Sequence, residues 1–162
     1  MADFDTAFNW LMDSEDPERK FEPIPDVGGK AIAGINSHSF PTAYARIAAL
    51  SQPSRVASVY NFYLGYFWTP SWFSQLTSNE VTKRVFDAAV NMGSSVAVKL
   101  LQRCLPLDVA RDGIWGPDTI RAANRMPENA LVEAFKKERR EYYMSIPNNE
   151  KYLKGWLARC AR

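Results

Sequence analysis

An apolar stripe that ends in a carboxylate is the feature that most constrains how this chain begins to fold. Phe4, Ala7, Phe8 and Leu11 recur at the i, i+3, i+4, i+7 spacing of one buried helix face. Four positions later, where the spacing requires another apolar side chain, the residue is Glu15. The pattern therefore predicts a helix over residues 3–14 that carries a carboxylate to the edge of the core.

Glu15 has two interpretations at this point. A carboxyl group partly removed from water suits a general acid, which protonates the leaving oxygen when a glycosidic bond is cleaved. A glutamate in the last turn of a helix can equally well hydrogen-bond nearby backbone and serve only the structure. The spacing alone leaves both interpretations open.

A glycine-rich turn follows at residues 26–29, Asp-Val-Gly-Gly, and leads into a short apolar run that ends near Ile35. Two adjacent glycines allow positive φ angles and a close approach of the backbone to a ligand. The segment predicts a short β-hairpin or an irregular turn near residues 22–36. Taken alone it is typical of many hairpins.

The second half of the chain carries further motifs. In chain order they are Phe86-Asp87-Ala88-Ala89-Val90-Asn91-Met92-Gly93, Leu101-Gln102, Asp112-Gly113-Ile114-Trp115-Gly116-Pro117-Asp118-Thr119, Arg139-Arg140-Glu141-Tyr142-Tyr143, and Gly155-Trp156-Leu157 followed by Arg159. Together with the first helix and the glycine turn, this order resembles the family-108 glycoside hydrolases. These are N-acetylmuramidases of the phage endolysin and secretion-activator type, with a C-terminal predicted peptidoglycan domain.

The chain departs from the family pattern around the proposed acid. Asp16-Pro17 follows Glu15 where the family has Gly-Gly, and the loop to Asp26 is about two residues longer. Ala31 stands where the family has a threonine, whose hydroxyl could orient water or substrate. The resemblance still implies Glu15 as the general acid, and the altered neighbours leave the efficiency of catalysis open.

Six further residues are candidates for the site. The resemblance implies that Asp26 stabilises the developing charge or holds the attacking water, although Asp26 could instead cap its turn. The candidate substrate-binding residues are Gly28, Gly29, Tyr63, Trp68 and Asn91. Flat aromatic faces stack on sugar rings, but aromatic side chains at helical spacing more often belong to the core, so most of the aromatic-rich segment over residues 60–73 is expected there. An asparagine near a helix end is commonly a cap.

Three functions are consistent with these residues. The first, which the resemblance favours, is a bacteriolytic peptidoglycan hydrolase that cleaves the bond between N-acetylmuramic acid and N-acetylglucosamine. The second is a non-catalytic peptidoglycan-binding protein that retains the fold. The third is a lytic transglycosylase, in which Glu15 would act as both acid and base.

The fold expected is mainly α, an α+β lysozyme-like body with a cleft and a short hairpin. Residues 1–78 are expected to form the catalytic half and residues 79–162 a helical peptidoglycan-binding half packed with it as one unit. Helices are predicted from Pro53 and over 79–92, 95–104, 117–125, 127–145 and 149–160, with Ser78 as the N-cap of the helix over 79–92. A length of 162 residues with 46% hydrophobic content is sufficient for such a core.

Charge and residue spacing restrict the classes of partner and cofactor expected for this chain. A net charge of +2 is too small to indicate nucleic acid but suits approach to an anionic cell wall. Cys104, Cys160 and His38 lack metal-ligand spacing, so neither a metal nor a cofactor is expected. The sequence shows neither a signal peptide nor a membrane span, so the protein is expected to be made in the cytoplasm. The resemblance implies that it reaches the cell wall through a holin or a dedicated secretion route, and a monomer is expected.

Overall fold

The computed structural model describes residues 1–106 and 108–162. They form two compact units, which we call the N-terminal unit, Phe4–Pro70, and the C-terminal unit, Ser71–Arg162 together with Met1–Asp3. Eight α-helices and one small antiparallel sheet make up the described residues. The predicted fold class, mainly α with a small β part, is confirmed. The assignment of catalysis to residues 1–78 and of wall binding to 79–162 stays a prediction.

The N-terminal unit begins with the predicted helix. Its elements are α1 (Phe4–Glu15), β1 (Ile24–Asp26), β2 (Gly29–Ile32), β3 (Ile35–Asn36), α2 (Pro41–Ala48), α3 (Ser54–Tyr63) and a π-helical turn (Leu64–Trp68). The apolar stripe of α1 is buried as the spacing predicted, and Glu15 is the last helical residue. Helix α2, which begins with a proline, was not predicted from the sequence.

The sheet consists of two consecutive hairpins in the order β1-β2-β3. Asp26 pairs with Gly29 at the first turn, and Ile32 pairs with Ile35 at the second. The second turn consists of Ala33 and Gly34, with φ angles of 46° and 81°. Positive φ at both central residues is the geometry of a type I′ turn, whose twist matches that of the flanking strands.

Aromatic side chains fill the core of the N-terminal unit. Phe62, Tyr63, Phe67 and Trp68 are buried. Phe4 lies 5.2 Å from Trp68 between ring centroids, and Phe8 lies 6.0 Å from Tyr63. The expectation that most of this aromatic-rich segment belongs to the core is confirmed.

The C-terminal unit is helical. Its elements are a short 3₁₀ helix (Phe73–Gln75), α4 (Asn79–Met92), α5 (Ser94–Arg103), α6 (Pro117–Arg125), α7 (Glu128–Ser145) and α8 (Glu150–Ala161). The Ser78 side chain caps α4 by accepting the Val81 N–H at 3.0 Å, as a serine before a helix predicts. The predicted bounds agree with these helices to within one residue. No helix among the described residues is long and apolar enough to cross a membrane.

Candidate active site

Glu15 lies half-buried at the C-terminal end of α1 and lines a pocket of about 240 Å³. The pocket is lined by the end of α1, the loop that follows it and two positions of the sheet: Glu15, Asp16, Pro17, Glu18, Lys20, Glu22, Ile24 and Ala33. A volume of this size can admit part of a sugar. The apolar stripe therefore delivers a carboxylate to an open pocket rather than to the interior.

The turn between β2 and β3 comes very close to this carboxylate. A Cβ atom placed on Gly34 would lie 2.5 Å from Glu15 Oε2 and 2.7 Å from the Tyr63 hydroxyl oxygen. Tyr63, 1% exposed at the end of α3, donates a hydrogen bond to the carbonyl oxygen of Ala33 at 2.8 Å. Glu15, Tyr63 and the turn backbone thus meet at one point. Gly34 was not predicted from the sequence to lie at the site.

The loop after Glu15 is anchored by its own polar groups. The Asp16 carboxylate accepts the backbone N–H groups of Lys20 at 3.2 Å and Phe21 at 2.6 Å. Arg19 donates to the carbonyl oxygen of Asn9 at 2.9 Å and pairs with the Asp13 carboxylate at 2.6 Å. These bonds tie the loop back to α1. A longer loop without the family glycines is therefore still held in place.

Arg55 of α3 holds the same loop from the other side. Its guanidinium donates to the carbonyl oxygen of Phe21 at 3.1 Å and to that of Leu50 at 2.6 Å. Phe21 itself is buried and has a φ of 51°. Neither Asp16 nor Arg55 was singled out from the sequence, because their partners are backbone groups that no side-chain motif reveals.

The pocket has a negative electrostatic character. Glu15, Asp16, Glu18 and Glu22 line it together with one cation, Lys20. Lys20 forms an ion pair with Glu18, and this hydrogen bond lowers the pKa of Glu18 and raises the pKa of Lys20. Excess negative charge in a pocket favours positive charge that develops during a reaction there.

Asp26 closes the first hairpin of the sheet. Its exposed carboxylate accepts the Val27 N–H at 2.7 Å through one oxygen and the Asn36 side-chain amide at 2.7 Å through the other. Among the described residues, Asp26 does not line the pocket at Glu15. These bonds support the turn-capping alternative, while the catalytic assignment of Asp26 stays a prediction.

Gly28 and Gly29 shape the same hairpin. Gly28 has a φ of 81°, which favours glycine. A Cβ on Gly29 would overlap the Ser37 hydroxyl, which accepts the Lys30 N–H at 3.0 Å. The backbone therefore requires both glycines at this turn, and a contact of either with substrate stays a prediction.

Tyr63 and Trp68 present little ring surface to a ligand. Trp68 is 7% exposed and packs against Phe4, while Tyr63 reaches the site only through its hydroxyl. Stacking of either ring on a sugar stays a prediction. The structure shows instead how Tyr63 belongs to the surroundings of Glu15.

Asn91 lies on α4 in the C-terminal unit, where its side-chain oxygen accepts the hydroxyl of Tyr143. One helical turn before it, the fully buried Asp87 contacts Arg139 at 2.7 Å and Arg159 at 2.7 Å. Asp87 and these partners come from three of the sequence motifs. The structure gives Asn91 a place beside this ion-pair cluster, and its assignment to substrate stays a prediction.

The remaining motif of the C-terminal unit surrounds a buried glutamine. The Gln102 amide donates to Asp112 at 2.9 Å and to Thr119 at 3.2 Å, and its carbonyl oxygen accepts the Gly113 N–H at 2.8 Å. A hydrogen bond from the Ile114 N–H is the main cause of the lowered pKa of Asp112. These residues shape the connection between α5 and α6.

Comparison with known proteins bears on the fold and on the class of protein. Residues 21–93 match the family model described as Glycosyl hydrolase 108, and residues 96–161 match the one described as Predicted Peptidoglycan domain. The solved structure of Brucella abortus SagA has a similar fold, with a TM-score of 0.77 and 22% identity over 98% of this chain and 90% of that chain. No curated protein sequence matches the chain.

The two matched segments define a glycoside hydrolase that acts on peptidoglycan. These matches support a peptidoglycan hydrolase of the glycosyl hydrolase 108 type, which is the family that the order of the motifs resembles. Glu15 lies six positions before the first residue of the matched hydrolase segment, Phe21. The assignment of the acid therefore depends on the geometry of the site.

Proposed function

We propose that this protein is an N-acetylmuramidase that hydrolyses the bond between N-acetylmuramic acid and N-acetylglucosamine, with Glu15 as the general acid. The observation that carries the proposal is the half-buried Glu15 carboxyl group in a pocket whose walls are fixed by hydrogen bonds. A general acid needs a fixed position beside the scissile bond and partial protection from water.

In the proposed reaction, Glu15 gives its proton to the glycosidic oxygen as the bond from that oxygen to the anomeric carbon of N-acetylmuramic acid breaks. The positive charge that develops on the sugar is stabilised by the negative pocket. Water then adds its hydroxyl group to the anomeric carbon, and its remaining proton restores the Glu15 carboxyl group directly or through solvent. The products are two glycan fragments. One ends in a new reducing N-acetylmuramic acid, and the other begins with a new non-reducing N-acetylglucosamine.

The first experiment is Glu15→Gln, which preserves shape but removes the transferable proton. We expect clearance of purified sacculi to fall about 10²- to 10⁴-fold, the typical contribution of a positioned acid. Glu141→Gln, the same substitution at an exposed position of α7, serves as the control and retains activity. Near wild-type clearance by a folded Glu15→Gln protein would show that Glu15 is not the general acid.

Mass spectrometry of the digested wall identifies the reaction. We expect fragments that end in reducing N-acetylmuramic acid. Fragments lighter by one water would show a lytic transglycosylase, and an absence of fragments at any protein concentration would show a binding protein.

We further propose that the C-terminal unit binds the wall and that the protein acts as a monomeric, endolysin-type enzyme after its release from the cytoplasm. The match of residues 96–161 to a peptidoglycan domain supports wall binding. Co-sedimentation of Glu15→Gln with sacculi tests it without digestion of the wall. Release of wild-type protein from cells that carry or lack a holin tests the route.

A further inference from the structure

The β2–β3 turn lies directly beside the Glu15 carboxyl group, and this close approach bears on catalysis. We propose that Gly34 and Tyr63 are positioning residues that fix the Glu15 carboxyl group at the pocket. This inference rests on the function proposed above for Glu15. It gives the β2–β3 turn a part in the reaction that was not predicted from the sequence.

The steric part of the argument concerns Gly34. A Cβ at this position would lie 2.5 Å from Glu15 Oε2, 2.8 Å from Glu15 Cδ and 2.7 Å from the Tyr63 hydroxyl oxygen. Nonbonded atoms do not approach so closely, so any side chain at position 34 displaces one or both of these groups. The hydrogen atom of glycine is what permits the carboxylate to lie against the turn.

The turn itself is held too firmly to give way. Ala33 is 3% exposed, has a φ of 46°, and accepts the Tyr63 hydroxyl at 2.8 Å. The Tyr63 ring is in turn packed against Phe8, Phe62 and Phe67. A non-glycine residue with positive φ persists only where its surroundings over-determine the backbone. An added methyl at Gly34 therefore moves the Glu15 carboxylate rather than the turn.

Gly93 offers a matched control for the backbone. Its φ is 92°, close to the 81° of Gly34, but a Cβ at Gly93 would meet no atom within 4 Å. Alanine at either position carries the cost of a positive φ, whereas only alanine at position 34 disturbs the carboxylate. The difference between the two variants isolates the positioning effect.

The experiment compares Gly34→Ala with Gly93→Ala on glycan chains solubilised from sacculi. For Gly34→Ala we expect kcat per folded molecule to fall about 10²-fold, the effect of a misplacement of about 1 Å, with KM nearly unchanged. The pH midpoint of kcat should also shift, because the acid has moved to new surroundings. Gly93→Ala should retain the wild-type kcat and pH profile even if it melts earlier.

Tyr63→Phe tests the second positioning residue. It removes the hydrogen bond to Ala33 but leaves the ring, and we expect kcat to fall about fivefold with a shifted pH midpoint. Tyr66→Phe is the matched control, because Tyr66 is 58% exposed and its ring lies in the same aromatic segment. The control should leave both quantities unchanged.

The outcomes separate this inference from the function on which it rests. If Glu15→Gln is inactive but Gly34→Ala behaves like Gly93→Ala in kcat and pH midpoint, the positioning role is overturned and the acid stands. If a folded Glu15→Gln protein stays active, the proposed function fails instead. Should Gly34→Ala not fold, Tyr63→Phe decides, and a wild-type kcat and pH profile in that variant overturns the proposal.

Discussion

The two units of this protein hold their charged side chains in different ways. In the N-terminal unit, Arg55 donates to backbone carbonyl oxygens of the loops around the pocket. In the C-terminal unit, the buried carboxylate of Asp87 is shared by two guanidinium groups, those of Arg139 and Arg159. The first arrangement fixes loops, whereas the second fixes helices to one another.

Backbone strain follows the same division. Of the four described non-glycine residues with positive φ, Arg19, Phe21 and Ala33 lie in the N-terminal unit and only Asn148 lies in the C-terminal unit. Ala33 lines the Glu15 pocket, and the other two belong to the loop that runs along it. Strained conformations cluster at functional sites because a site needs geometry that regular elements do not supply. The comparison shows that the strained backbone of the described residues is concentrated around the pocket at Glu15, whereas the Asp87 cluster joins helices.

The largest effect is expected where buried charge is broken in the C-terminal unit. Asp87→Ala leaves two guanidinium groups facing one another without their shared carboxylate, and Arg139 is 2% exposed. We expect the free energy of unfolding, measured in urea, to fall by about 3–5 kcal/mol. A loss of this size would explain why Asp87 belongs to a sequence motif although it does not line the pocket at Glu15.

The control is Asp118→Ala, which removes a carboxylate from an exposed i,i+3 pair with Arg121 on α6. Its loss should be below about 1 kcal/mol, because exposed pairs contribute little. Equal losses in the two variants would contradict the contrast between the units, since they would show that burial gives the Asp87 cluster no added importance.

Local sequence signals predicted every described α-helix except α2. The stripe of α1 and the Ser78 cap depend on neighbours within one helical turn, and both are confirmed. The Asp87 cluster could not be predicted in the same way, because Arg139 and Arg159 lie more than 50 positions away and motif order does not reveal contacts.

Only part of the site around Glu15 could be predicted from the sequence. Its spacing predicted a carboxylate at the edge of the core, and the structure places it half-buried at a pocket. The approach of Gly34 was not predicted, because it depends on how the second hairpin folds back toward the end of α1. The anchoring of the loop by Asp16 was missed for a similar reason, since its partners are backbone N–H groups.

A smaller effect is expected at Asp26. It tests whether this residue takes part in catalysis or only stabilises the first hairpin of the N-terminal unit. Asp26→Asn replaces one acceptor oxygen by an amide that faces either the Val27 N–H or the Asn36 amide, so that two donors meet. We expect the free energy of unfolding to fall by about 1 kcal/mol while kcat per folded molecule is retained. Thermal melting and turnover are measured on the same preparation.

The opposite pattern would place Asp26 in the site. A large fall in kcat with unchanged melting temperature and unchanged binding to sacculi would support a catalytic carboxylate. Asn36→Ala provides the comparison, because it leaves the Asp26 charge intact while it removes the bond to Asp26 and three further bonds, to the Val27 carbonyl oxygen and from the N–H groups of His38 and Ser39. If these bonds only hold the hairpin, Asn36→Ala should melt at a lower temperature than Asp26→Asn, and both variants should retain the wild-type kcat per folded molecule.

The smallest effect concerns Ala31, where the family has a threonine. Ala31 is 4% exposed and pairs in register with Ile24, which lines the Glu15 pocket, and with Asn36. Threonine and valine add nearly the same volume, but only threonine adds a hydroxyl group. We expect both Ala31→Thr and Ala31→Val to lose about 1 kcal/mol of stability through overpacking, and Ala31→Thr to exceed Ala31→Val in kcat by up to about tenfold. Equal kcat values for the two variants would mean that the threonine hydroxyl group has no partner in this site. The longer loop, which Asp16 anchors, would then have changed the site around position 31.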